Sequence, residues 1–300
     1  MKSKEYKTTQ IIANAVCGIF TLCAVIPFFL LIAASFTDNS WAVSNGFSFF
    51  PGKLSLEAYE YIAVQWGVIG KAYLMTLVVT GAGTVLSLGI STLFAYSISH
   101  KEIPGMKVLN FLLIFTMLFN GGLVSTYYSY VNLYHMKNTI FALIIPNLLM
   151  NAFNVILIKN YFLNSIPESL LEAARIDGAS ELKIFMKIVI PLSKPIIATV
   201  GLLTALAYWN DWQNGLYYLT DRGGAHLYTI QNVMNNINEN LQVLLQNASQ
   251  AAAIGANASQ MPSTTIRMAI AVVGILPLLA LYPFFQKYFV KGITLGGVKE

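Results

Sequence analysis

Residues 168–195 read ESLLEAARIDGASELKIFMKIVIPLSKP and form the only segment of the chain that is densely charged with both signs. Four acidic and four basic side chains lie in this segment, so it is neutral overall. They are Glu168, Glu172, Asp177 and Glu181, and Arg175, Lys183, Lys187 and Lys194. Apolar segments flank it on both sides, so the charges are concentrated between stretches of chain that avoid water.

The first half of the segment predicts a short amphipathic helix. Ser165 and Glu168 fit a capping box, and Pro167 suits a first helical turn because its missing N–H is not needed there. Glu172 and Arg175 stand three residues apart, a spacing at which opposite charges on a helix can pair. We therefore expect a helix whose polar face carries charge and whose leucines face inward.

The second half predicts a break followed by another helix. Asp177-Gly178 indicates the break, because glycine readily adopts the left-handed backbone that ends a helix. The second amphipathic helix is expected from about Ser180, and Pro191 ends or bends it as the chain returns to apolar sequence.

The composition predicts an all-α membrane protein. Hydrophobic residues make up 56% of the 300 residues and charged residues only 10%, against about 25% charged in soluble domains. Roughly 20 apolar residues span a bilayer, and six segments reach or approach that length. They are, approximately, residues 11–34, 71–99, 106–120, 138–161, 195–219 and 263–289. A cleaved signal peptide is the alternative for the first segment, but its apolar region would be only about 7–15 residues long.

The distribution of Lys and Arg predicts the orientation. With both termini in the cytoplasm, 13 of the 18 basic residues lie on the cytoplasmic side and 5 lie outside, as the positive-inside rule requires. Residues 168–195 then face the cytoplasm. Anionic lipid at the inner leaflet accounts for the net charge of +5, so no nucleic-acid partner is implied. The stretches 35–70 and 220–262 are predicted as polar outer loops.

The sequence carries no catalytic or metal-binding motif. It contains no GxxxxGK[ST], HExxH, CxxC or GxSxG pattern, and its three histidines lie far apart. Cys17 and Cys23 fall on different faces of one span and are expected to be free thiols. Ion-coupled carriers place carboxylates within their spans, whereas the nearest carboxylate here, Asp211, lies toward the outer end of the fifth. Energy for uphill transport would therefore come from another subunit.

At this point the chain resembles a known family. Glu172-Ala173-Ala174, followed by Gly178 and the run 188–191, resembles the EAA loop of ATP-binding-cassette (ABC) importer permeases, with Ile190 where the family has Leu. The forms EAARIDGA and IPLSKP, together with YWNDW at 208–212, are similar to the carbohydrate-uptake, maltose-type permeases. YPFFQKYFVKGITLGGVK at 282–299 resembles the Gram-positive complex-oligosaccharide permeases.

The resemblance implies a type I ABC importer permease fold with a cytoplasmic EAA coupling helix. It implies an N-terminal flank, first transmembrane helix and outer loop over 1–72, a transmembrane type-1 permease domain over 73–283 and a cytoplasmic tail over 284–300. The implied partners are a second homologous permease, two ATP-binding subunits that use ATP and Mg, and an extracellular sugar-binding protein, lipid-anchored or soluble. The chain itself would be a non-enzymatic multi-pass protein of the bacterial plasma membrane and would bind no cofactor.

The same resemblance implies two groups of functional residues. The coupling group for the ATPase is Glu172, Ala173, Ala174, Asp177, Gly178 and Ala179. The substrate pathway group is Tyr208, Asn210, Asp211, Trp212, Asn151 and Asn154. Alternatives stay open for the second group: the Asn residues at 147, 151 and 154 could bond neighbouring helices, and residues 210–212 could serve as a helix cap or at the membrane interface.

Two other functions remain compatible with the sequence. One is an ABC importer permease for a non-sugar solute, and the other is a secondary carrier. A carrier needs no ATPase, so copurification of an ATP-binding subunit separates it from both importers. The sequence does not name the sugar.

Overall fold

The computed structural model describes residues 4–100, 102–246 and 264–295, and the regular secondary structure of these residues is helical apart from one isolated β-bridge between Thr37 and Leu54. The helices are α1 Lys4–Ser35, α2 Asn39–Asn45, α3 Glu57–Val64, α4 Trp66–Ser99, α5 Met106–Leu118, α6 Gly122–Tyr128, α7 Phe141–Ile144, α8 Ala152–Ser165, α9 Glu168–Ile176, α10 Glu181–Ile184, α11 Ile190–Leu192, α12 Lys194–Trp209, α13 Gln213–Tyr218, α14 Ile230–Gln246 and α15 Thr264–Leu295. The chain divides into two compact units, Met1–Ile69 with Met234–Leu278 and Gly70–Val233 with Leu279–Glu300.

In the first unit, a loop held by polar contacts follows the apolar helix α1. The Asp38 carboxylate accepts a hydrogen bond from the Trp41 backbone N–H at 3.1 Å, which caps α2, and forms an ion pair with Lys53 Nζ at 2.8 Å. The β-bridge between Thr37 and Leu54 closes the same loop. The stretch 35–70, predicted as a polar outer loop, is therefore an ordered structure that contains two short helices, α2 and α3.

Two helices are long and apolar enough to cross a membrane. They are Thr8–Ser35 within α1, with a mean hydropathy of 2.6, and Trp66–Ser99, with 1.8. Two bent pairs pass the same test when each is taken as one span: Met106–Leu118 with Gly122–Leu133, bent by 119°, and Glu181–Leu192 with Lys194–Trp209, bent by 81°. The described residues thus provide two to four candidate spans, and six spans stay a prediction.

The second predicted span is built for close helix packing. A Cβ atom placed on Gly83 would lie 2.6 Å from the Tyr208 ring, and one on Gly201 would lie 3.2 Å from Leu88. Small residues let the backbones of α4 and α12 approach this closely. Close packing is confined to such contacts, because only 28% of the apolar window of this helix is buried.

The predicted span 138–161 is wrong as one continuous helix. Helix α7 has only four residues, and α8 does not begin until Ala152. Between them Asn147 has a φ of +61°, a conformation that Asn tolerates better than most residues, and Pro146 lacks the N–H that a helix interior needs. Average hydropathy does not register this local break.

The predicted polar loop 220–262 is also wrong in part, because α14 occupies Ile230–Gln246. Ile230, Val233 and Ile237 recur at helical spacing among the Asn and Gln residues, which makes the segment amphipathic. The remainder of the predicted loop, 247–263, and the end of the predicted tail, 296–300, lie outside the described residues.

One apolar core of the second unit holds the charged segment in place. It joins the end of α4, the helix α8 and the start of the chain after Ser180, and its side chains are almost completely buried. Ile98, Ile158 and Ile184 have no exposed surface, and Phe185 and Val189 are 4% and 1% exposed. The segment that the sequence singled out is therefore anchored to the ends of two longer helices, α4 and α8.

Candidate functional site

The first helix of the charged segment ends at a left-handed glycine. Gly178 has a φ of +75°, its N–H donates to the Arg175 carbonyl at 3.0 Å, and the Ala179 N–H donates to the Ala174 carbonyl at 3.0 Å. These two bonds form a Schellman motif, which satisfies carbonyls that the helix would otherwise leave unpaired. The predicted break at Asp177-Gly178 is confirmed.

The start of the helix differs from the prediction. Ser165 is the last residue of α8 and does not cap α9, so the expected capping box is wrong. Pro167 is the N-cap residue of α9 and makes no side-chain cap bond. The extended backbone of Ile166 and Pro167 separates the two helices, which places Ser165 on the wrong side of the boundary to cap α9.

The second helix begins as predicted at Ser180. The Ser180 hydroxyl accepts from the Lys183 N–H at 3.4 Å, and α10 continues through a wider π-helical turn, Phe185–Val189, into α11. Buried Ile184 and Phe185 fix this helix to the core. The two helices around Gly178 therefore form one turn with a rigid base.

The six predicted coupling residues are brought together on this turn. Glu172, Ala173, Asp177 and Gly178 are exposed, whereas Ala174 and Ala179 are half-buried against the core. The arrangement presents two carboxylates, those of Glu172 and Asp177, outward beside the small side chain of Ala173, and it uses the other two alanines for packing. No ion pair involves Glu172 among the described residues, so its charge is available to a partner.

Arg175 does not pair with Glu172, and that prediction is wrong. Its Nε donates to Glu181 Oε1 at 2.7 Å, because the turn at Gly178 brings the start of α10 back toward α9. The hydrogen bond to Glu181 raises the pKa of Arg175 above its usual value. The two side chains are 35% and 56% exposed, so the pair contributes less than about 1 kcal/mol to stability. The main effect of this ion pair is to fix the position of α9 relative to α10.

The predicted pathway residues 208–212 lie at the junction of α12 and α13 and serve different purposes. Tyr208 is 1% exposed, and its hydroxyl donates to the Ile144 carbonyl at 2.8 Å. The Asp211 carboxylate accepts from the N–H groups of Gln213 and Asn214 at 3.1 and 3.3 Å, which starts α13. Asn210 is exposed, and Trp212 is 39% exposed.

Asn151 and Asn154 are placed away from that junction. The Asn151 side chain caps α8 by accepting from the Asn154 N–H at 3.2 Å, and Asn154 Nδ2 donates to Thr204 Oγ1 at 3.3 Å. Asn154 therefore bonds a neighbouring helix, which is the alternative that the sequence left open for it.

A polar cavity of about 260 Å³ lies beside Asp211. It is lined by Asn120, Gly122, Leu123, Thr126, Asn147, Leu148, Asp211, Gln213, Asn214, Tyr217 and Tyr218. Amide, hydroxyl and aromatic groups converge here, and they come from segments that are far apart in sequence. Asn214 is fixed by donating to the Pro146 carbonyl at 3.1 Å. Sequence reasoning missed Gln213, Asn214 and Tyr217, although they directly follow YWNDW.

Among the residues that the structure describes, no group of three or more His, Cys, Asp or Glu side chains is placed to hold a metal ion. Cys17 and Cys23 are free and exposed.

Comparison with known proteins identifies the family. The profile described as binding-protein-dependent transport system inner membrane component matches residues 6–295. The chain belongs to this family. The resemblance of the chain to ABC importer permeases is thereby confirmed, and the protein is a membrane component of a transport system.

Individual relatives agree with the family. The chain is 42% identical to the polygalacturonan/rhamnogalacturonan transport system permease protein YtcP of Bacillus subtilis, over 93% of this chain and 94% of the relative. It is 30% identical to the arabinooligosaccharides transport system permease protein AraQ of Halalkalibacterium halodurans, over 92% and 91%. A crystal structure of a bacterial ABC transporter that imports the acidic polysaccharide alginate matches with a TM-score of 0.78 at 33% identity, covering 96% of this chain and 99% of the other.

Proposed function

We propose that this permease forms half of the translocation pathway of an ABC importer, for an oligosaccharide that an extracellular binding protein delivers. The observation that carries the proposal is the turn at Gly178, which holds an exposed, unpaired Glu172 on a small flat surface between apolar helices. Relatives named as permeases for polygalacturonan and arabinooligosaccharides support the substrate class.

The proposed topology has six spans with both termini and residues 168–191 in the cytoplasm. Domain limits at 1–72, 73–283 and 284–300 are part of the same proposal, as are a second homologous permease, two ATPases and a sugar-binding protein as partners. The cation distribution supports it. Cysteines introduced at Ser180 and Asn247 should label from opposite sides of the membrane, and labelling from one side only would contradict the topology.

Docking follows from the shape of the turn. An amphipathic helix that presents small residues fits a groove closely, and an exposed carboxylate can pair with a basic side chain of the partner. Glu172 and Ala173 supply these features on α9, while Gly178 sets the direction in which the chain leaves it. Closure of the ATPases around ATP and Mg would then rock the two permeases by rigid-body motion between inward- and outward-facing states.

The cavity beside Asp211 supports a short section of the sugar path. Its amides, hydroxyls and Tyr217 can hydrogen-bond and stack with a sugar ring. Its volume of about 260 Å³ is below the roughly 300–1,000 Å³ of sites that enclose a drug-sized ligand. This chain therefore contacts only part of an oligosaccharide, and the partner permease contacts the rest.

The test of the proposal is Gly178→Asp in the assembled transporter. A side chain in the left-handed region costs about 1–2 kcal/mol, and the new carboxylate lies beside Asp177. We expect the variant to insert into the membrane but to lose both the bound ATPase and transport. Gly105→Asp is the matched control, because Gly105 also has a positive φ, +90°, with open space around it. Normal ATPase copurification with Gly178→Asp would contradict docking at this turn.

A further inference from the structure

Four polar side chains meet where the end of α4 faces the turn at Gly178. They are Tyr96 near the end of α4, His100 just after it, Arg175 in α9 and Glu181 in α10. The Glu181 carboxylate joins two of them, because Oε2 accepts from the Tyr96 hydroxyl at 2.7 Å and Oε1 accepts from Arg175 Nε at 2.7 Å. A single side chain thereby connects α4 and α9.

His100 makes the second connection. Its Nδ1 lies 2.8 Å from the Tyr96 carbonyl oxygen and its Nε2 lies 3.0 Å from Arg175 Nη2. A carbonyl only accepts and a guanidinium only donates, so the proton resides on Nδ1 and Nε2 accepts from Arg175. Arg175 is thus held by Glu181 through Nε and by His100 through Nη2. Two contacts on a planar guanidinium fix its orientation as well as its position.

The end of α4 provides a firm base for these contacts. Tyr96 is 9% exposed, and its ring packs on Phe185 at 5.1 Å and on the His100 ring at 4.6 Å between centroids. Ile98 and Ile184 beside it are completely buried. The start of α10 and the end of α4 therefore belong to one packed core.

The packing around α9 is looser. Two cavities, of about 180 and 460 Å³, are both lined by Tyr96, His100, Glu102 and Arg175. Either volume is several times the roughly 30 Å³ that a water molecule occupies in the liquid. The inward apolar contacts of α9 are made by Leu171 and Ala174, which are both only partly buried. The polar cluster adds directional contacts that fix the register of α9 against α4.

We propose that Tyr96, His100, Arg175 and Glu181 form a brace that makes α9 and α4 move as one body when the ATPase displaces α9. Arg175 and Glu181 are positioning residues in this account, because they transmit the movement and touch neither sugar nor nucleotide. The inference rests on the proposed docking of the ATPase at α9. It adds the path by which that movement reaches a helix of bilayer length.

The test measures a distance within the assembled transporter. Cys17 and Cys23 are replaced by Ala, and spin labels are attached at Ser169→Cys on α9 and at Val85→Cys, which is 71% exposed on α4. Ser169 is exposed and lies outside the coupling group, so its label leaves docking intact. Val85 lies roughly 20 Å along the helix from its end at 1.5 Å per residue. With the brace intact we expect the same single distance without nucleotide and with ATP and vanadate.

Tyr96→Phe and Glu181→Gln should each make the distance between the two labels depend on nucleotide. The first removes one hydroxyl and keeps the ring, and the second removes the charge that Arg175 needs while keeping the shape. The label distance should then shift or spread when ATP and vanadate are added, with the ATPase still bound. Tyr161→Phe is the matched control, since it deletes a hydroxyl that donates to the Leu192 carbonyl at 3.3 Å on a nearby helix.

Each outcome has a separate meaning. The brace is overturned if the label distance changes with nucleotide in the parent protein as it does in Tyr96→Phe and Glu181→Gln. It is also overturned if the distance stays constant in every variant. A residue that merely stabilises the fold would lower the yield of assembled transporter and leave the distance in the remainder unchanged, which also overturns it. Loss of the ATPase from the parent protein contradicts the proposed function instead, and is read from the copurification alone.

Discussion

The turn at Gly178 and the junction at 208–214 both carry sequence motifs, but they use their residues in opposite ways. At the turn, the motif residues Glu172 and Ala173 are exposed, and backbone hydrogen bonds maintain the shape. At the junction, Tyr208 is buried and bonded to the backbone, and Asp211 is occupied in starting a helix. The motif at the turn therefore leaves its side chains exposed to solvent, whereas the motif at the junction uses Tyr208 and Asp211 to build the local fold.

The variant with the largest expected effect tests the exposed residues of the turn at Gly178. Glu172→Lys reverses an exposed charge on α9 that forms no ion pair among the described residues, so a basic partner groove would repel it. We expect transport to be abolished and ATPase association to weaken, measured by uptake and copurification. Glu60→Lys is the control, because it makes the same reversal at an exposed position of α3 on the predicted outer side. Full sugar-stimulated ATP hydrolysis in Glu172→Lys would remove the contrast between the two regions.

The second effect tests the buried side. Tyr208→Ala should destabilise the protein by about 3–5 kcal/mol, the usual cost of deleting a buried aromatic ring, because it leaves a cavity against Gly83. Tyr208→Phe should cost about 1–3 kcal/mol, since the Ile144 carbonyl loses its donor. Thermal unfolding in detergent measures both. If Tyr208→Ala unfolds like the parent and alters only transport, the ring belongs to the sugar path.

The third effect concerns the exposed residues of the junction. Asn210→Ala and Trp212→Ala each remove about one hydrogen bond or one stacking contact, worth roughly 1 kcal/mol. We expect the half-saturation concentration for uptake to rise about tenfold, which corresponds to about 1.4 kcal/mol, with basal ATP hydrolysis retained. Failure of both variants to assemble would show that these residues are structural, and the sugar path would then be sought in the partner permease.

The smallest effect is on the loop after α1. The ion pair and hydrogen bond from Lys53 hold the pKa of Asp38 well below its ordinary value, with further hydrogen bonds from Ser40 and the Trp41 N–H. A depressed pKa stabilises the folded loop above the ordinary Asp pKa of about 3.9 and loses that contribution as the pH falls below it. Amide exchange of residues 39–45, corrected for its intrinsic rate, should increase below about pH 4. Asp38→Asn should make the protection independent of pH in this range.

Local signals explain what the sequence predicted well. The Schellman turn at Gly178 and the cap at Ser180 depend on residues within a few positions, so their types determine the backbone directly. The partner of Arg175 could not be predicted in the same way. Tyr96 and Glu181 are 85 positions apart, and only the assembled core brings them together around the guanidinium.

The wrong predictions for residues 138–161 and 220–262 have a related cause. The break at Pro146 and Asn147 lies in a strongly apolar stretch, so an average over the span concealed it. Helix α14 was concealed by its many amides, although Ile230 and Val233 already show helical spacing. The cavity beside Asp211 depends on the first of these features, because Asn147 at the break lines it. Candidate pathway residues were therefore harder to predict than the coupling residues.

The contact of Gly83 with Tyr208 restricts how this protein and its relatives can diverge. No side chain fits at position 83 while the aromatic ring occupies its present place, since an added Cβ would lie 2.6 Å from the ring. A lineage that acquires alanine or serine at 83 must therefore move the ring at 208 or replace it. Paired substitution at these two columns of a family alignment would record that order of events.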